Sequence, residues 1–328
     1  MSQPSHPRSS TQEAWRARAQ RLSPYLPGTL IRQILADDPL PLGEPNWLKT
    51  AVLFADLSGF TPMAEQLAQD GPRGAEALTR TLLLTFTTLI NAIHAAGGDV
   101  CHFHGDAMLV FFPDEDGQAA MRALACAQFM QRLMSTNLAM VSIKQNSGRS
   151  AKFHLSMRVG VAYGRCLATV LQVSEEQHEF VLAGRPVEQA VAAERLATAG
   201  QVVADAAVLV QAGLSASNPF QLVDAVLPIP NSAPLFHWGA YGWQAFRRLA
   251  QAASRFLPPS LAERLLDGDS QAVAEHRTIS TLFVRFSGIA LDDDDASANL
   301  QAYVTWANAV VQRFGHQNGR LNRVLTGD

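Results

Sequence analysis

From Thr50 to Ala212 the apolar residues switch period repeatedly, and the order of those switches narrows the fold more than anything else in the chain. AVLFAD (51–56) is an apolar strand that ends on an acid. PMAEQLAQ (62–69) is a short helix with Pro62 near its start, and residues 74–98 form a long helix ended by Gly97-Gly98. DVCHFHGDAMLVFF (99–112) reads as a hairpin turning at Gly105-Asp106. A helix over 116–134 follows, then FHLSMRVGVAYGRCLATVL (153–171), which reads as two strands flanking Gly164. HEFVLAG (178–184) is a strand, 185–200 a helix, and 201–212 a strand with a short helix. The order β-α-α-β-β-α-β predicts an α+β sandwich, one sheet covered by helices.

Length and charge set the outer bounds. The 328 residues suffice for about two domains. The net charge of −3 gives no field that would draw nucleic acid or an anionic membrane. Cys101, Cys126 and Cys166 have no paired spacing, as in a reducing compartment. The first twenty residues lack the apolar stretch of a signal peptide, and no apolar run reaches the ~18 residues of a membrane span. A soluble cytoplasmic protein, without nucleic-acid partners or a membrane span, is the expectation.

Three blocks recur in the same order. SPYLPGTLIRQIL (23–35) is echoed by SRFLPPSLAERLL (254–266), TAVLFADLSGF (50–60) by ISTLFVRFSGI (279–289), and HAAGGDVCHFHGD (94–106) by GHQNGRLNRVLTGD (315–328). The spacing is about 230 residues for the first two and about 222 for the last. This predicts a disordered tail to about residue 12 and an amphipathic helix within residues 1–45. A complete domain over 46–230 follows, then a linker with the repeated helix over 231–275 and the truncated start of a second domain over 276–328. The chain therefore reads as a fragment of a longer protein.

The acid at the end of the first strand raises a question of chemistry. LSGFT follows Asp56 and leads into a helix, and a strand–turn–helix junction offers free backbone N–H groups that favour phosphate. A carboxylate cannot hold phosphate directly, but it can do so through a divalent cation. Asp106, in the hairpin turn, is the natural second ligand. Two carboxylates bridging two metals about 4 Å apart would neutralise phosphate and lower a hydroxyl's pKa. Arg158, on a later strand, could stabilise phosphate charge. Taken singly, a strand-end Asp caps the following helix more often than it binds metal, and Gly-Asp is usually only a hairpin turn. No GxxxxGK[ST] loop occurs.

FADLSGFT, GGDVCHFHGDAMLVFF, MRVGVAYG and FVLAGRPVEQAVAAERL together resemble the class III nucleotidyl cyclase catalytic domain, a ferredoxin-like sandwich, over about residues 48–225. The doubled arrangement is similar to the tandem domains of soluble adenylyl cyclase and its bacterial cyclase–ATPase relatives. The resemblance implies two Mg²⁺ ions, with Mn²⁺ as an alternative, on Asp56, Asp106 and the Leu57 carbonyl. It further implies a triphosphate cradled by Ser58, Gly59, Phe60, Thr61 and Gly105, and Arg158 on a phosphate. ATP, or GTP in its place, would be cyclised with loss of pyrophosphate. The family's VNxAAR stretch is VEQAVA here, so Glu188 and Ala192 stand where Asn and Arg would stabilise the reaction centre. Arg285 replaces the first acid in the second copy, and Arg323 aligns with an adenine-reading lysine of second domains. The resemblance thus implies intramolecular pairing of a metal-binding first domain with a degenerate second one, and a downstream ATPase and helical-repeat region. Residues 1–328 alone would be inactive.

The alternative is a degenerate nucleotide-binding domain that regulates an attached ATPase or effector. A GGDEF-type cyclase is disfavoured, because GGDV at 97–100 lacks the following Glu-Phe and precedes a strand. His102 and His104 would share a strand face with Cys101 pointing away, and no second pair has zinc spacing. Asp292 to Asp295 read as a solvated loop, and WRARAQR (15–21) as a solvated helix face.

Overall fold

The computed structural model describes residues 7–144, 150–228, 236–268, 282–314, 319–321 and 323–326. In chain order the elements are α1 (Pro7–Leu22), α2 (Gly28–Leu35), β1 (Asn46–Ser58), α3 (Phe60–Ala68), α4 (Pro72–Ala95), β2 (Asp99–His104), β3 (Ala107–Pro113) and α5 (Ala119–Leu133). They continue with β4 (Met140–Lys144), β5 (Ser150–His154), β6 (Ser156–Gln172), β7 (His178–Ala183), α6 (Arg185–Leu196), β8 (Val202–Asp205), α7 (Ala206–Gln211) and β9 (Phe220–Leu222). The last are α8 (Trp243–Ala253), α9 (Pro259–Asp267) and α10 (Ala296–Phe314). The predicted mixed sandwich is present. A seven-stranded sheet runs β2-β3-β1-β6-β8-β9 with β7 also paired to β6, and β4 and β5 form a separate pair.

The chain divides into two compact units, whose boundaries differ from the domains read from the sequence. The larger unit takes residues 47–166, 182–234 and 326–328. Its core shows why β1 and β6 alternate as they do. Leu53, Ala55 and Leu57 of β1, with Met157, Val159 and Val161 of β6, point into one buried cluster with Met63 and Leu67 of α3, Leu89 and Ile93 of α4, and Met130 of α5. Period-two alternation sends Asp56, Arg158 and Gly160 to the other face. That face is covered by α6, which approaches β6 closely at Gly160. A Cβ there would lie 2.0 Å from the Ala190 carbonyl and 2.3 Å from the Glu194 nitrogen.

Gly164 does not divide two strands. β6 runs unbroken from Ser156 to Gln172, and a Cβ at Gly164 would lie 2.9 Å from Pro186 Cγ. The residue makes room for the first turn of α6 rather than for a bend. The expected alternation of β2 also fails locally. The register with β3 shifts between Val100 and His102, so Cys101 and His102 are both buried. Among the described residues no three His, Cys, Asp or Glu side chains gather as a metal site.

The smaller unit takes residues 1–46, 167–181 and 235–325. Here the first repeated block is visible as structure. Ser23–Tyr25 and Ser254–Phe256 are matching 3₁₀ turns, followed by α2 and α9. The likeness extends upstream, AWRARAQ in α1 against AFRRLAQ in α8, and these two helices pack together. Each copy closes the helix end of the other. Arg21 of α1 donates to the Leu265 and Leu266 carbonyls of α9 at 2.6 and 3.2 Å. Arg248 of α8 donates to the Leu35 and Ile34 carbonyls of α2 at 3.1 and 3.5 Å. WRARAQR is therefore not merely a solvated face. Nor is the stretch to residue 12 disordered throughout, since α1 begins at Pro7. Packing on α8 overrides the polar composition. In the second copy, Leu282, Phe283 and Val284 are exposed and form no strand. The third echo lies partly outside the described residues.

Candidate active site

The β1–β3 ladder brings the two acids together. Asp56 is the register partner of Ala107, which places Asp106 one residue beyond that pair, in the turn at the same end of the sheet. Gly105 holds that turn with φ +68, and a side chain there would meet nothing within 4 Å, so the hairpin tip is open. Both carboxylates are half-exposed, as metal ligands at a strand end should be.

The turn after Asp56 is set by Gly59. Its φ of +105 favours glycine, and a Cβ would lie 2.4 Å from the His154 carbonyl. This sharp turn starts α3 at Phe60 with no side-chain cap, leaving the first N–H groups of the helix available to an anion. Phe60 is buried and stacked with Phe86, which anchors the turn, while Ser58 is half-exposed and Thr61 exposed. Leu57 packs its side chain into the core.

Arg158 is held by two acids. Its Nη2 donates to Asp56 Oδ2 at 2.5 Å and lies 3.0 Å from Glu194 Oε1. The Asp56 hydrogen bond raises the already high pKa of the guanidinium, and Glu194 adds to this. Burial pushes the Glu194 carboxyl above its usual range; Arg158 pulls it down, and Asp56 pushes it up. Glu194 was not singled out from the sequence. The signal was present, because Val187, Ala190, Val191 and Glu194 form one buried stripe of α6 at helical spacing, so an acid occupies an apolar position.

Glu188 is exposed and Ala192 half-exposed, four residues apart on α6. The smaller unit holds the two remaining basic candidates. Arg323 lies 3.7 Å from Glu179, whose carboxyl burial pushes up to about 7 while Arg323 and the Val324 N–H oppose the rise. Arg285 lines an open groove with Phe286, Tyr303 and Trp306. Among the described residues no helix is long and apolar enough to cross a membrane.

Curated proteins are similar to this chain over about half of its length. Adenylate cyclase type 10 of rabbit is 23% identical over 188 residues, covering 56% of this chain and 11% of that protein. The human protein of the same name is 24% identical over 161 residues, covering 48% and 9%. The chain thus spans about a tenth of the length of the curated relatives it matches. Among solved structures, the adenylyl cyclase CyaB from P. aeruginosa is 22% identical, with TM-score 0.43 over 56% of this chain and 97% of that one. A bacterial light-regulated adenylyl cyclase is 17% identical, with TM-score 0.48 over 70% and 65%. Residues 45–221, more than half of the chain, match the adenylate and guanylate cyclase catalytic domain, and the chain belongs to that family.

Proposed function

We propose that the larger unit is the metal-bearing half of an adenylyl cyclase that converts ATP to 3′,5′-cyclic AMP and pyrophosphate in the cytoplasm. The observation that carries this reading is the Asp56–Ala107 register, which sets Asp106 beside Asp56 at an open sheet end. The donor set fits a divalent cation. Two half-exposed carboxylates and the backbone carbonyl of Leu57 are hard oxygen ligands of the kind Mg²⁺ and Mn²⁺ accept. Bound there, such cations would supply charge neutralisation of the triphosphate and a lowered pKa at the 3′-hydroxyl.

The protein's own residues bind and orient. The uncapped start of α3, at Phe60 and Thr61, offers backbone donors to phosphate oxygens, and Gly59 keeps the turn close enough to reach them. Arg158 provides a permanent positive charge beside the site. In the reaction the 3′-oxygen forms a bond to the α-phosphorus, its proton leaves, and the bond to the β-phosphate oxygen breaks. Catalysis is mostly positioning and charge placement. Glu188 is acidic and Ala192 is inert, so the groups that stabilise the reaction centre come from a complementary domain. Pairing with a completed second copy is the simplest source. Purine choice rests on that second half-site.

The test is cyclic AMP formation by the chain extended through a complete second domain, with Mg²⁺ or Mn²⁺. Turnover that depends on Asp56 and Asp106 supports the reading. Turnover unaffected by both Asp→Asn changes refutes it. A second reading, a nucleotide-binding regulatory domain without turnover, is favoured by one observation: Asp56 is already neutralised by Arg158. Nucleotide binding without product in the extended protein would select it.

A further inference from the structure

One guanidinium nitrogen serves two acids, and it serves them unequally. Arg158 Nη2 makes its hydrogen bond to Asp56 at 2.5 Å. Glu194 Oε1 lies 3.0 Å from the same nitrogen, yet that oxygen is fully buried and accepts no hydrogen bond. The better-buried acid therefore has the poorer partner. The Glu194 side chain is 5% exposed against 22% for Asp56, so solvent or a dissolved cation can reach Asp56 and not Glu194. A buried carboxylate with incomplete hydrogen bonding is costly, and a small turn of the guanidinium toward it would relieve that cost.

The backbone that carries Glu194 is held close to β6. The Glu194 nitrogen lies 2.3 Å from where a Cβ on Gly160 would sit, and Gly160 is two residues along β6 from Arg158 on the same face. α6 is thus seated against the strand, with Glu194 over Arg158. Asp56 stands on the neighbouring strand at the sheet end that also carries Asp106.

We propose that Glu194 is a positioning residue of the metal site, the second seat for Arg158, which receives the guanidinium when a divalent cation takes Asp56. A cation on Asp56 must displace the arginine or share the carboxylate with it at the cost of like-charge repulsion. Glu194 lowers that cost by holding the displaced charge in a buried ion pair. The proposal rests on the reading of Asp56 as a metal ligand.

The test is binding of Mn²⁺ alone, without nucleotide, to the whole chain, read by electron paramagnetic resonance. Wild type is compared with Glu194→Gln, Arg158→Met, the double variant and Asp56→Asn, with a thermal melt of each. Glu194→Gln leaves Arg158 on Asp56, and the expected loss of affinity is about tenfold. Arg158→Met binds Mn²⁺ more tightly than wild type, and adding Glu194→Gln to it makes no further difference. Wild-type affinity in Glu194→Gln, or the same loss in the Arg158→Met background, overturns the proposal; the latter would mean that Glu194 acts by its charge alone. If Glu194→Gln does not fold, Arg158→Met decides: weaker binding than wild type overturns the idea. Unchanged binding in Asp56→Asn removes the metal-ligand reading itself, and the proposal falls with it. Loss in Asp56→Asn with no effect of Glu194→Gln removes the second-seat role alone.

Discussion

Asp56 of β1 and Ala107 of β3 face each other across an antiparallel ladder that runs in unbroken register from Thr50 and Pro113. Because Ala107 is the first residue of β3, Asp106 must lie in the turn next to Asp56 whatever its side chain does. The two acids differ in what else they hold, and this separates their variants. Asp106 sits at an open hairpin tip, so Asp106→Asn should leave the melting temperature unchanged. In the extended protein it should cut metal-dependent cyclic AMP formation by about a hundredfold or more. Asp56→Asn should lose comparable activity and also lower the melting temperature, because Arg158 loses its closest carboxylate partner. Equal melting behaviour of the two variants would contradict this asymmetry.

Gly160 predicts a stability effect far larger than its size. Gly160→Ala drives a methyl against the Ala190 carbonyl at 2.0 Å and the Glu194 nitrogen at 2.3 Å, both backbone atoms of α6 that cannot rotate away. The helix must lift from β6, at a cost of about 1–3 kcal/mol. Denaturant unfolding followed by circular dichroism measures it. An effect below a few tenths of a kcal/mol would show that α6 is not seated so closely.

The mixed sandwich and the hairpin that carries Asp106 were legible because both are written in local pattern: apolar runs of period two, Gly97-Gly98 at a helix end, and Gly105-Asp106 between two apolar strands. What failed was long-range. Gly164 looks like a break because a glycine in a strand usually is one; only the position of Pro186, 22 residues on, explains it. The bulge at Cys101 has no signature in DVCHFH. Glu194 is harder to read because it lies in the buried stripe of α6, away from Glu188 and Ala192, the two positions that the cyclase pattern marks. The arginines of α1 looked solvated because their partners, the α9 carbonyls, lie more than 240 residues away.

The reciprocal caps of the smaller unit predict a matched pair of effects. Arg248→Ala frees the Ile34 and Leu35 carbonyls, and Arg21→Ala frees those of Leu265 and Leu266. Each removes a cation from a helix C-terminus and should cost about 1 kcal/mol, read by denaturant unfolding. The Arg248–Asp37 ion pair is largely solvated and adds little, so Asp37→Asn should be nearly neutral. A Asp37→Asn loss as large as that of Arg248→Ala would show that the ion pair, not the cap, is what matters.

Glu179 gives the smaller unit a pH dependence whose sign is fixed. Burial raises its carboxyl from 4.5 to about 7 in the folded chain, with Arg323 and the Val324 N–H only partly offsetting it. Between those two values the folded chain keeps a proton that the unfolded chain has released. Stability is therefore full below about pH 4.5, falls as pH rises toward 7, and is flat with respect to this group above that. Glu179→Gln cannot ionise. It should match wild type at pH 4.5 and exceed it at pH 8 by up to about 3 kcal/mol, in unfolding experiments run across that range. Arg323→Gln removes the charge that holds the carboxyl down in the folded chain, so the fall should still begin near pH 4.5 but continue to higher pH. A wild-type curve that is flat between pH 5 and 7 relative to Glu179→Gln, and that rises only below about pH 4.5, would mean that Arg323 outweighs burial and that Glu179 is a conventional ion-pair partner.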